Sequence, residues 1–444
     1  MLVMLLVAHI LVVAIYVAWR ARSVRPLSLW EPFTSFAVVY SLFFTVRPFL
    51  LFVYPRYGSI FIRMFHVQDG EASGVKVACY SLLCLVAYVL GYAASGTGWG
   101  QLSPLRRYCI ARKAKWVFPI IYGIVGATAI AIIANRAGGA LVLVRSIQAK
   151  GFLLQGVTWL YWLGWILEAA VVSAFVLLYR PDIGRRWALA LWSVIVLVQF
   201  PVIALGSREN VIVTLMALLA YHRLNWGRIS SRVLAMGVLA LAALGLGFTA
   251  LRQRLAEQAA GSAARFGSAV ERFTRDLNPY DGFVTTVANM PGQLPYLYGE
   301  TFVGLALYAV PRKLLPEKPT DLGQNRFTQA FYPQWYRAKV TLTNSLLGEL
   351  YANFGILWTV LLMGTIGRFH SGLWSRALVP GRSTLFVVTY AFVLGTTLRL
   401  VRSGIFATAH LFALHAGPVI LAVYWMSRHE AFRVMPHSAN STTS

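Results

Sequence analysis

Long apolar runs separated by shorter polar segments extend along the chain to about residue 427. Most runs hold about 20 residues, the length at which an α-helix crosses the hydrocarbon core of a bilayer. The pattern predicts an all-α polytopic membrane protein with about 11 transmembrane helices. The expected spans are residues 1–19, 33–53, 75–95, 116–134, 154–178, 187–205, 210–224, 233–250, 344–366, 384–398 and 404–426.

Residues 251–343 form the one long polar excursion between these runs. A segment of this length is too long for a plain connection, so we expect one large, structured external loop. Thr301–Val310 is apolar but too short to cross a bilayer, which predicts an interfacial or re-entrant helix. An amphipathic helix at the interface is predicted by the helical spacing of Phe266, Val270, Phe273 and Leu277. The chain divides into helices 1–8 (1–250), the loop (251–343), helices 9–11 (344–427) and a tail (428–444).

Composition and charge agree with a membrane protein. Hydrophobic residues make up 58% of the chain and charged residues only 12%. A net charge of +25 would suggest nucleic-acid binding in a soluble protein. Here the basic residues lie mainly in loops that the positive-inside rule assigns to the cytoplasm, with the N-terminus outside and the tail inside. The placement of the three cysteines, Cys79, Cys84 and Cys109, predicts neither a disulfide framework nor a metal site.

A set of cations lies on the expected outer side, where the positive-inside rule does not place them. The set comprises Arg47, Arg208, Arg252, Arg254, Arg312, Lys318, Arg399 and Arg402. An external anionic ligand explains it, and binding to outer-leaflet headgroups is the alternative. Arg208 follows Ser207 at the expected start of a helix, whose free N–H groups favour a phosphate or pyrophosphate. An arginine that snorkels to headgroups is the other interpretation of Arg208.

Acidic residues also collect on the outer side, where we therefore expect a catalytic carboxylate. Ser345, Glu349 and Asn353 follow at intervals of four and share one helix face. Glu349 is expected about one turn inside the membrane, where partial desolvation suits a general base. A structural carboxylate paired with one of the arginines is the other interpretation.

Further polar residues have two open interpretations. Asp281, in the sequence Asn-Pro-Tyr-Asp, is either a turn residue or a substrate contact. Glu168 lies within one predicted span, and His410 and His415 lie within the last. Ionisable groups inside a membrane are often functional, but a Glu168–histidine pair that holds the bundle together explains them equally well.

Several motifs together resemble the bacterial oligosaccharide repeat-unit polymerases, the Wzy-type O-antigen polymerases. The motifs are Gly206-Ser-Arg208, Tyr298-Gly-Glu300, Pro311-Arg312, Lys318-Pro319 and the stretch from Gly348 to Gly355. Related O-antigen ligases use a histidine in their large outer loop, and residues 251–343 contain none. This difference favours a polymerase over a ligase.

The resemblance implies a glycosyltransferase of the bacterial inner membrane with a GT-C-like helical bundle. Its substrates would be undecaprenyl-pyrophosphate-linked oligosaccharides on the periplasmic side, and the growing glycan would move onto the non-reducing end of a new unit. The product would be O-antigen, capsule or exopolysaccharide. The resemblance implies no metal or cofactor beyond the lipid carrier and no nucleic acid, and it implies a chain-length regulator and a flippase as partners.

Within this resemblance, arginines and a carboxylate receive roles. We expect Arg208, Arg312, Arg399 and Arg402 to stabilise the pyrophosphate leaving group, since guanidinium groups offset developing negative charge. Weaker candidates for the same role are Arg47 and Lys318. Glu349 is the preferred base, followed by Glu300 and Asp281, while Asn344 and loop aromatics such as Tyr298 would contact the sugars. The alternatives are an O-antigen ligase-like enzyme and a transporter or flippase, although no two halves of the chain match as transporter halves often do.

Overall fold

The computed structural model describes the protein over a defined set of ranges. These are residues 1–23, 28–53, 70–94, 108–109, 116–139, 142–143, 158–179, 185–204, 208–226, 277–308, 310, 314–315, 324–337, 344–379, 383–429 and 433–434. Within these ranges the regular structure is helical, apart from an antiparallel pairing of β1 (Tyr108–Cys109) with β2 (Arg433–Val434). The all-α prediction is therefore confirmed for the described residues.

The helices before the long loop are apolar and mostly long. They are α1 (Leu2–Ser23), α2 (Pro32–Ser41), α3 (Arg47–Val53), α4 (Gly70–Ala94), α5 (Val117–Arg136), α6 (Thr158–Leu178), α7 (Arg185–Ala204) and α8 (Arg208–Trp226). A π-helical turn, Leu42–Val46, joins α2 to α3, so Pro32–Val53 forms one continuous span. After the loop follow α13 (Leu346–Leu378), α14 (Thr384–Gly395) and α15 (Thr397–His429).

Seven of the expected eleven spans are long, apolar helices in the described part of the chain. The spans expected at 187–205 and 384–398 contain shorter apolar helices, and the one at 210–224 is α8, which carries charges at both ends. The span expected at 233–250 lies outside the described residues. One boundary changes: Arg399 and Arg402 belong to the first turns of α15, not to a connection between two spans.

Short helices occupy the described part of the long loop. They are α9 (Pro279–Asn289), α10 (Glu300–Tyr308), α11 (Gln324–Phe331) and α12 (Pro333–Arg337). Helix α10 agrees with the short helix expected at Thr301–Val310. The amphipathic helix expected from Phe266 lies outside the described residues except for Leu277.

Helices α4 and α13 pack closely because glycines remove the side chains between them. A Cβ on Gly91 would collide with the backbone of Gly364, and a Cβ on Gly367 would collide with the backbone of Tyr88. Aromatic rings fill the adjacent core, with Phe36 stacked on Tyr88 at a centroid distance of 3.8 Å. Small residues at helix contacts are typical of membrane bundles, in which close backbone approach provides much of the attraction.

Two long helices are broken at glycines. Gly355 in α13 has φ 73° and ψ −176°, and Gly404 in α15 has φ 84° and ψ −176°. These positive φ values favour glycine, since a side chain is strained there. Each break leaves carbonyl groups before it and N–H groups after it without their helical partners. We call the end of the bundle that holds both breaks and the starts of α8 and α13 the polar end.

Candidate functional site

The loop before α10 docks onto the break in α13. The backbone N–H groups of Leu297 and Tyr298 donate to the carbonyl groups of Ala352 and Asn353, at 2.9 Å each. The N–H of Gly299 donates to Oδ1 of Asn353 at 3.1 Å. The break at Gly355 thus becomes a binding surface for a loop more than fifty residues earlier in the chain.

Glu349 occupies the break in α15. Its carboxylate accepts hydrogen bonds from the backbone N–H of Ile405 and from that of Phe406, the latter at 3.2 Å to Oε1. Only 4% of Glu349 is exposed, and Gly404 lies directly against the carboxylate, where a Cβ would collide with it. A carboxylate at the start of a helical segment satisfies its free N–H groups and offsets the positive end of its dipole. Among the residues that the structure describes, the partners of Glu349 are therefore this helix start and the hydroxyl of Thr301, and no arginine pairs with it.

The predicted polar face of α13 is present, and its members have different partners. The hydroxyl of Ser345 accepts from the N–H of Gly348 at 3.1 Å and caps the helix. The side-chain amide of Asn353 donates to the hydroxyl of Thr301 at 2.9 Å and to the carbonyl of Glu349 at 2.8 Å. These contacts join α10 to α13 beside the break.

Arg399 and Arg402 meet at Glu209, in the first turn of α8. Nη1 of Arg399 donates to Oε2 of Glu209 at 2.9 Å, and Arg402 donates to Oε1 of the same carboxylate. Nε of Arg399 also donates to the carbonyl of Ala407, beyond the break. Arg208 is the first residue of α8 and is therefore next to this cluster along the backbone.

One short segment, 397–406, thus brings together groups that are far apart in sequence. It carries Arg399 and Arg402, it holds Glu209 from the start of α8, and its backbone binds Glu349 from α13. Two guanidinium groups and two carboxylates therefore lie along ten residues at the polar end. Such a cluster provides both positive charge for an anion and a proton acceptor.

A second polar cluster ties the loop helices to the bundle. Nη2 of Arg47 donates to Oδ2 of Asp281 at 2.8 Å, and the two side chains are only 1% and 0% exposed. The amide of Asn344 donates to the hydroxyl of Thr286 at 3.0 Å, which joins the start of α13 to α9. Asp281 lies in the first turn of α9, so it belongs to a helix and not to the loop turn that was one of its two interpretations.

Tyr332 adds a further tie between loop helices. Its hydroxyl donates to the hydroxyl of Thr285 at 3.0 Å. Burial raises the pKa of the Tyr332 phenol, which keeps it a neutral donor. The contact fixes the end of α11 against α9.

The remaining predicted site residues lie at the edge of this region or outside the described ranges. Glu300, the first residue of α10, pairs with Arg326 of α11, and both side chains are about one-third exposed. Tyr298 is 81% exposed and has a positive φ of 46°. Arg312 and Lys318 lie outside the described residues. Among the described residues, no group of three or more His, Cys, Asp and Glu side chains is arranged to hold a metal ion.

Sequence reasoning missed the part that Glu209 plays. The residue adjoins Arg208, and its acidic side chain was a visible signal, but its two arginine partners come from a helix about 190 residues later. The buried pairing of Glu168 with a histidine was among the stated alternatives, and the structure selects His415, with 3.0 Å between Oε2 and Nδ1.

Comparison with known proteins gives one match. A family model described as O-antigen polysaccharide polymerase Wzy matches residues 1–428. No curated protein and no solved structure matches the chain. The matched range includes the breaks in α13 and α15, the start of α8 and all the loop helices described above.

Proposed function

The chain belongs to the O-antigen polysaccharide polymerase Wzy family, and on this basis we propose that it polymerises undecaprenyl-pyrophosphate-linked oligosaccharide repeat units. The reaction takes place at the periplasmic face of the inner membrane. The growing glycan leaves its carrier and moves onto the non-reducing end of a new unit. The product is O-antigen, capsule or exopolysaccharide, and the helical bundle is of the GT-C-like type.

The convergence of Arg399, Arg402, Glu209 and Glu349 on segment 397–406 is the observation that carries this proposal. A hydroxyl oxygen of the acceptor sugar attacks the anomeric carbon of the donor, and the bond from that carbon to the pyrophosphate oxygen breaks. Negative charge grows on the pyrophosphate as it leaves. Guanidinium groups match phosphate geometry and stabilise this charge, so the step requires no metal ion.

Glu209 holds both guanidinium groups. Its side chain is 15% exposed, and those of Arg399 and Arg402 are 18% and 28% exposed. The groups are therefore accessible to a ligand while they remain partly shielded from water. We propose that a pyrophosphate displaces Glu209 from the arginines, because it offers more negative charge and more acceptor oxygens.

Glu349 is the proposed acceptor for the proton of the attacking hydroxyl. Its carboxylate touches residues 404–406, just beyond Arg402. A carboxylate has about four lone-pair positions, so the two backbone donors and the Thr301 hydroxyl leave capacity for a further contact. The rival bases are each paired with an arginine: Asp281 with Arg47, and Glu300 with Arg326. These pairings favour Glu349 over both.

Sugar contacts are proposed for residues around this segment. Tyr298 presents an exposed ring at the polar end, and Asn344 lies at the start of α13. Arg312 and Lys318 complete the proposed set of phosphate and sugar contacts. Arg47 is buried against Asp281, so we propose that it acts indirectly, by holding α9 in place.

The lipid-linked glycan profile of cells that lack this protein tests the proposal. We expect single repeat units in the deletion strain and a polymer ladder after complementation with the wild-type gene. Arg399→Ala, Arg402→Ala, Arg208→Ala and Glu349→Gln should fail to restore the ladder at normal protein level. Loss of one preorganised donor lowers such rates by about 100-fold to 1,000-fold.

Arg368→Ala is the matched control, because Arg368 is an exposed arginine of α13 more than ten residues beyond the break. It should restore a normal ladder. Polymer that accumulates on its carrier in the deletion strain would establish a ligase instead. Single units confined to the cytoplasmic side would establish a transporter, and a normal ladder with Arg208→Ala would remove that residue from the site.

A further inference from the structure

A buried polar cluster connects three helices within the membrane part of the bundle. Glu168 of α6, Asn210 of α8 and His415 of α15 are 0%, 0% and 1% exposed, respectively. Oε2 of Glu168 lies 3.0 Å from Nδ1 of His415. Nε2 of His415 lies 3.5 Å from Nδ2 of Asn210, at the outer limit of a hydrogen bond. The imidazole thus lies between a carboxylate and an amide from two other helices.

Each nitrogen of the imidazole faces a polar atom of another helix. Nδ1 lies at ion-pair distance from the Glu168 carboxyl group, and Nε2 accepts from the side-chain amide of Asn210. The ring of Trp165 packs edge-on against the imidazole at a centroid distance of 5.6 Å and limits its rotation. Polar groups that are fully buried inside a membrane bundle cost free energy unless they are paired, so their pairing has a strong effect on helix positions.

Glu209 and Asn210 link this cluster to the break in α15. Glu209 binds Arg399 and Arg402, which precede Gly404. Asn210 is the next residue of α8 and contacts His415, which follows Gly404. Two consecutive residues of α8 therefore hold the two segments of α15 on either side of the break.

The angle between those segments needs such external support. Helical hydrogen bonds do not run through the break, and the positive φ of Gly404 sets only the local direction of the chain. Glu349 holds the backbone just after the break, and Glu168 of α6 lies against His415 further along the second segment. Loss of the His415 contacts frees the second segment of α15 to move relative to the arginines.

We propose that Glu168, Asn210 and His415 are positioning residues that set the locations of Arg399 and Arg402. None of the three touches the reacting groups. The role assigned to the arginines rests on the proposed function, whereas the fixed angle of α15 does not.

Two measurements on purified protein test this inference. The first is hydrogen exchange of peptides that cover residues 397–406, which reports the order of the broken segment without any reference to activity. The second is polymerisation kinetics with lipid-linked repeat units, normalised to folded protein. The variants are Glu168→Leu, Glu168→Gln and His415→Leu.

His370→Leu is the matched control. His370 is 2% exposed and pairs with Tyr88 through Nδ1 at 2.9 Å, so it too is a buried histidine in a polar pair. It lies on α13 and its partner Tyr88 lies on α4, so this pair involves none of α6, α8 and α15, the helices that Glu168, Asn210 and His415 connect. Its loss should destabilise the protein without a change in the exchange of that segment.

For Glu168→Leu and His415→Leu we expect faster exchange of 397–406 and a kcat lower by about 100-fold, the effect of roughly 1 Å of misplacement. KM should change little, because the arginines act on the leaving group in the transition state. Glu168→Gln should retain most of the wild-type kcat, since the amide has the size and polarity to keep the close contact with Nδ1 of His415.

Three results would overturn the inference. One is exchange of 397–406 in Glu168→Leu that equals the wild type or the His370→Leu control. Another is a kcat per folded molecule equal to that of the control. The third is a Glu168→Gln variant as inactive as Glu168→Leu, which would show that titration and not position matters. If the wild type itself makes no polymer, the proposed function fails, and the exchange measurement still decides whether the network orders α15.

Discussion

Single residues at the polar end differ greatly in how far their charges are removed from water. Arg47 and Asp281 are almost fully buried, whereas Glu300 and Arg326 are about one-third exposed. A buried ion pair depends on both partners, because removal of one leaves an uncompensated charge in a medium of low dielectric constant. An exposed pair is weakened by water and salt and stabilises a protein little.

For the Arg47–Asp281 pair we therefore expect the loss of one partner to destabilise the protein more than the loss of both. Arg47→Ala should lower the free energy of unfolding by about 3–5 kcal/mol. The double variant Arg47→Met with Asp281→Leu should recover much of this loss, because neither partner is left as an unpaired buried charge. Thermal unfolding in detergent measures both, and Arg326→Ala is the exposed control, with an expected loss of about 0–1 kcal/mol. A double variant as unstable as Arg47→Ala would contradict the assignment.

Replacement of Tyr298 by glycine should affect stability and activity in opposite directions. Its φ of 46° costs a residue with a side chain about 1–2 kcal/mol, which glycine avoids. Tyr298→Gly should therefore be at least as stable as the wild type while it makes shorter or less polymer, since the exposed ring is lost. Thermal unfolding and the glycan ladder measure the two effects. Tyr298→Phe is the control and should keep the ladder, and a normal ladder with Tyr298→Gly would remove the ring from the sugar site.

At the scale of helices, α13 and α15 share one structural feature. A glycine with positive φ interrupts each helix, and distant parts of the chain satisfy the freed backbone groups. In α13 the freed carbonyl groups bind the loop at Leu297 and Tyr298, and in α15 the freed N–H groups bind Glu349. Irregular backbone at the depth of a membrane requires such internal partners, because lipid provides none.

The break in α15 predicts a strong effect of one methyl group. Gly404→Ala should destabilise the protein by about 1–2 kcal/mol through backbone strain and should also displace the Glu349 carboxylate. Polymer should be lost even where folded protein remains. Gly372→Ala is the control, because nothing lies within 4 Å of its Cβ position and alanine favours a helix by about 0.5–1 kcal/mol. Equal thermal stability of the two variants would contradict this account of the break.

Helix positions were largely predictable from hydropathy, whereas the nature of the segment around Arg402 was not. Two arginines in four residues lower the local hydropathy, so 399–402 was expected to connect two spans. The structure makes this segment the first turns of α15, where Glu209 of α8 pairs with both arginines. A hydropathy average over neighbouring residues contains no information about a partner in another helix.

At the scale of the whole molecule, close packing against α4 holds α13, the helix that carries Glu349 and the break at Gly355, in place. Gly367 meets the backbone of Tyr88, so any added side chain must separate the two helices. Gly367→Ala should therefore lower the free energy of unfolding by about 1–3 kcal/mol, the usual effect of overpacking. Gly123→Ala on α5 is the control, because its Cβ position has nothing within 4 Å. Thermal unfolding of both variants measures the difference, and an unaffected Gly367→Ala would show that the helices have room to part.

The sequence by itself determined the class of the protein and the approximate positions of its helices, and it predicted that polar groups on the outer side form the site. These features depend on local composition and on charge along the chain, which a linear pattern contains. Only the tertiary structure decided which groups meet. Arg47 and Asp281 are 234 residues apart, and Glu349 binds backbone N–H groups that have no side-chain signature and are free only because Gly404 interrupts a helix. Partners of this kind follow from the packing of helices in three dimensions, since neither separation along the chain nor residue type identifies a free backbone group.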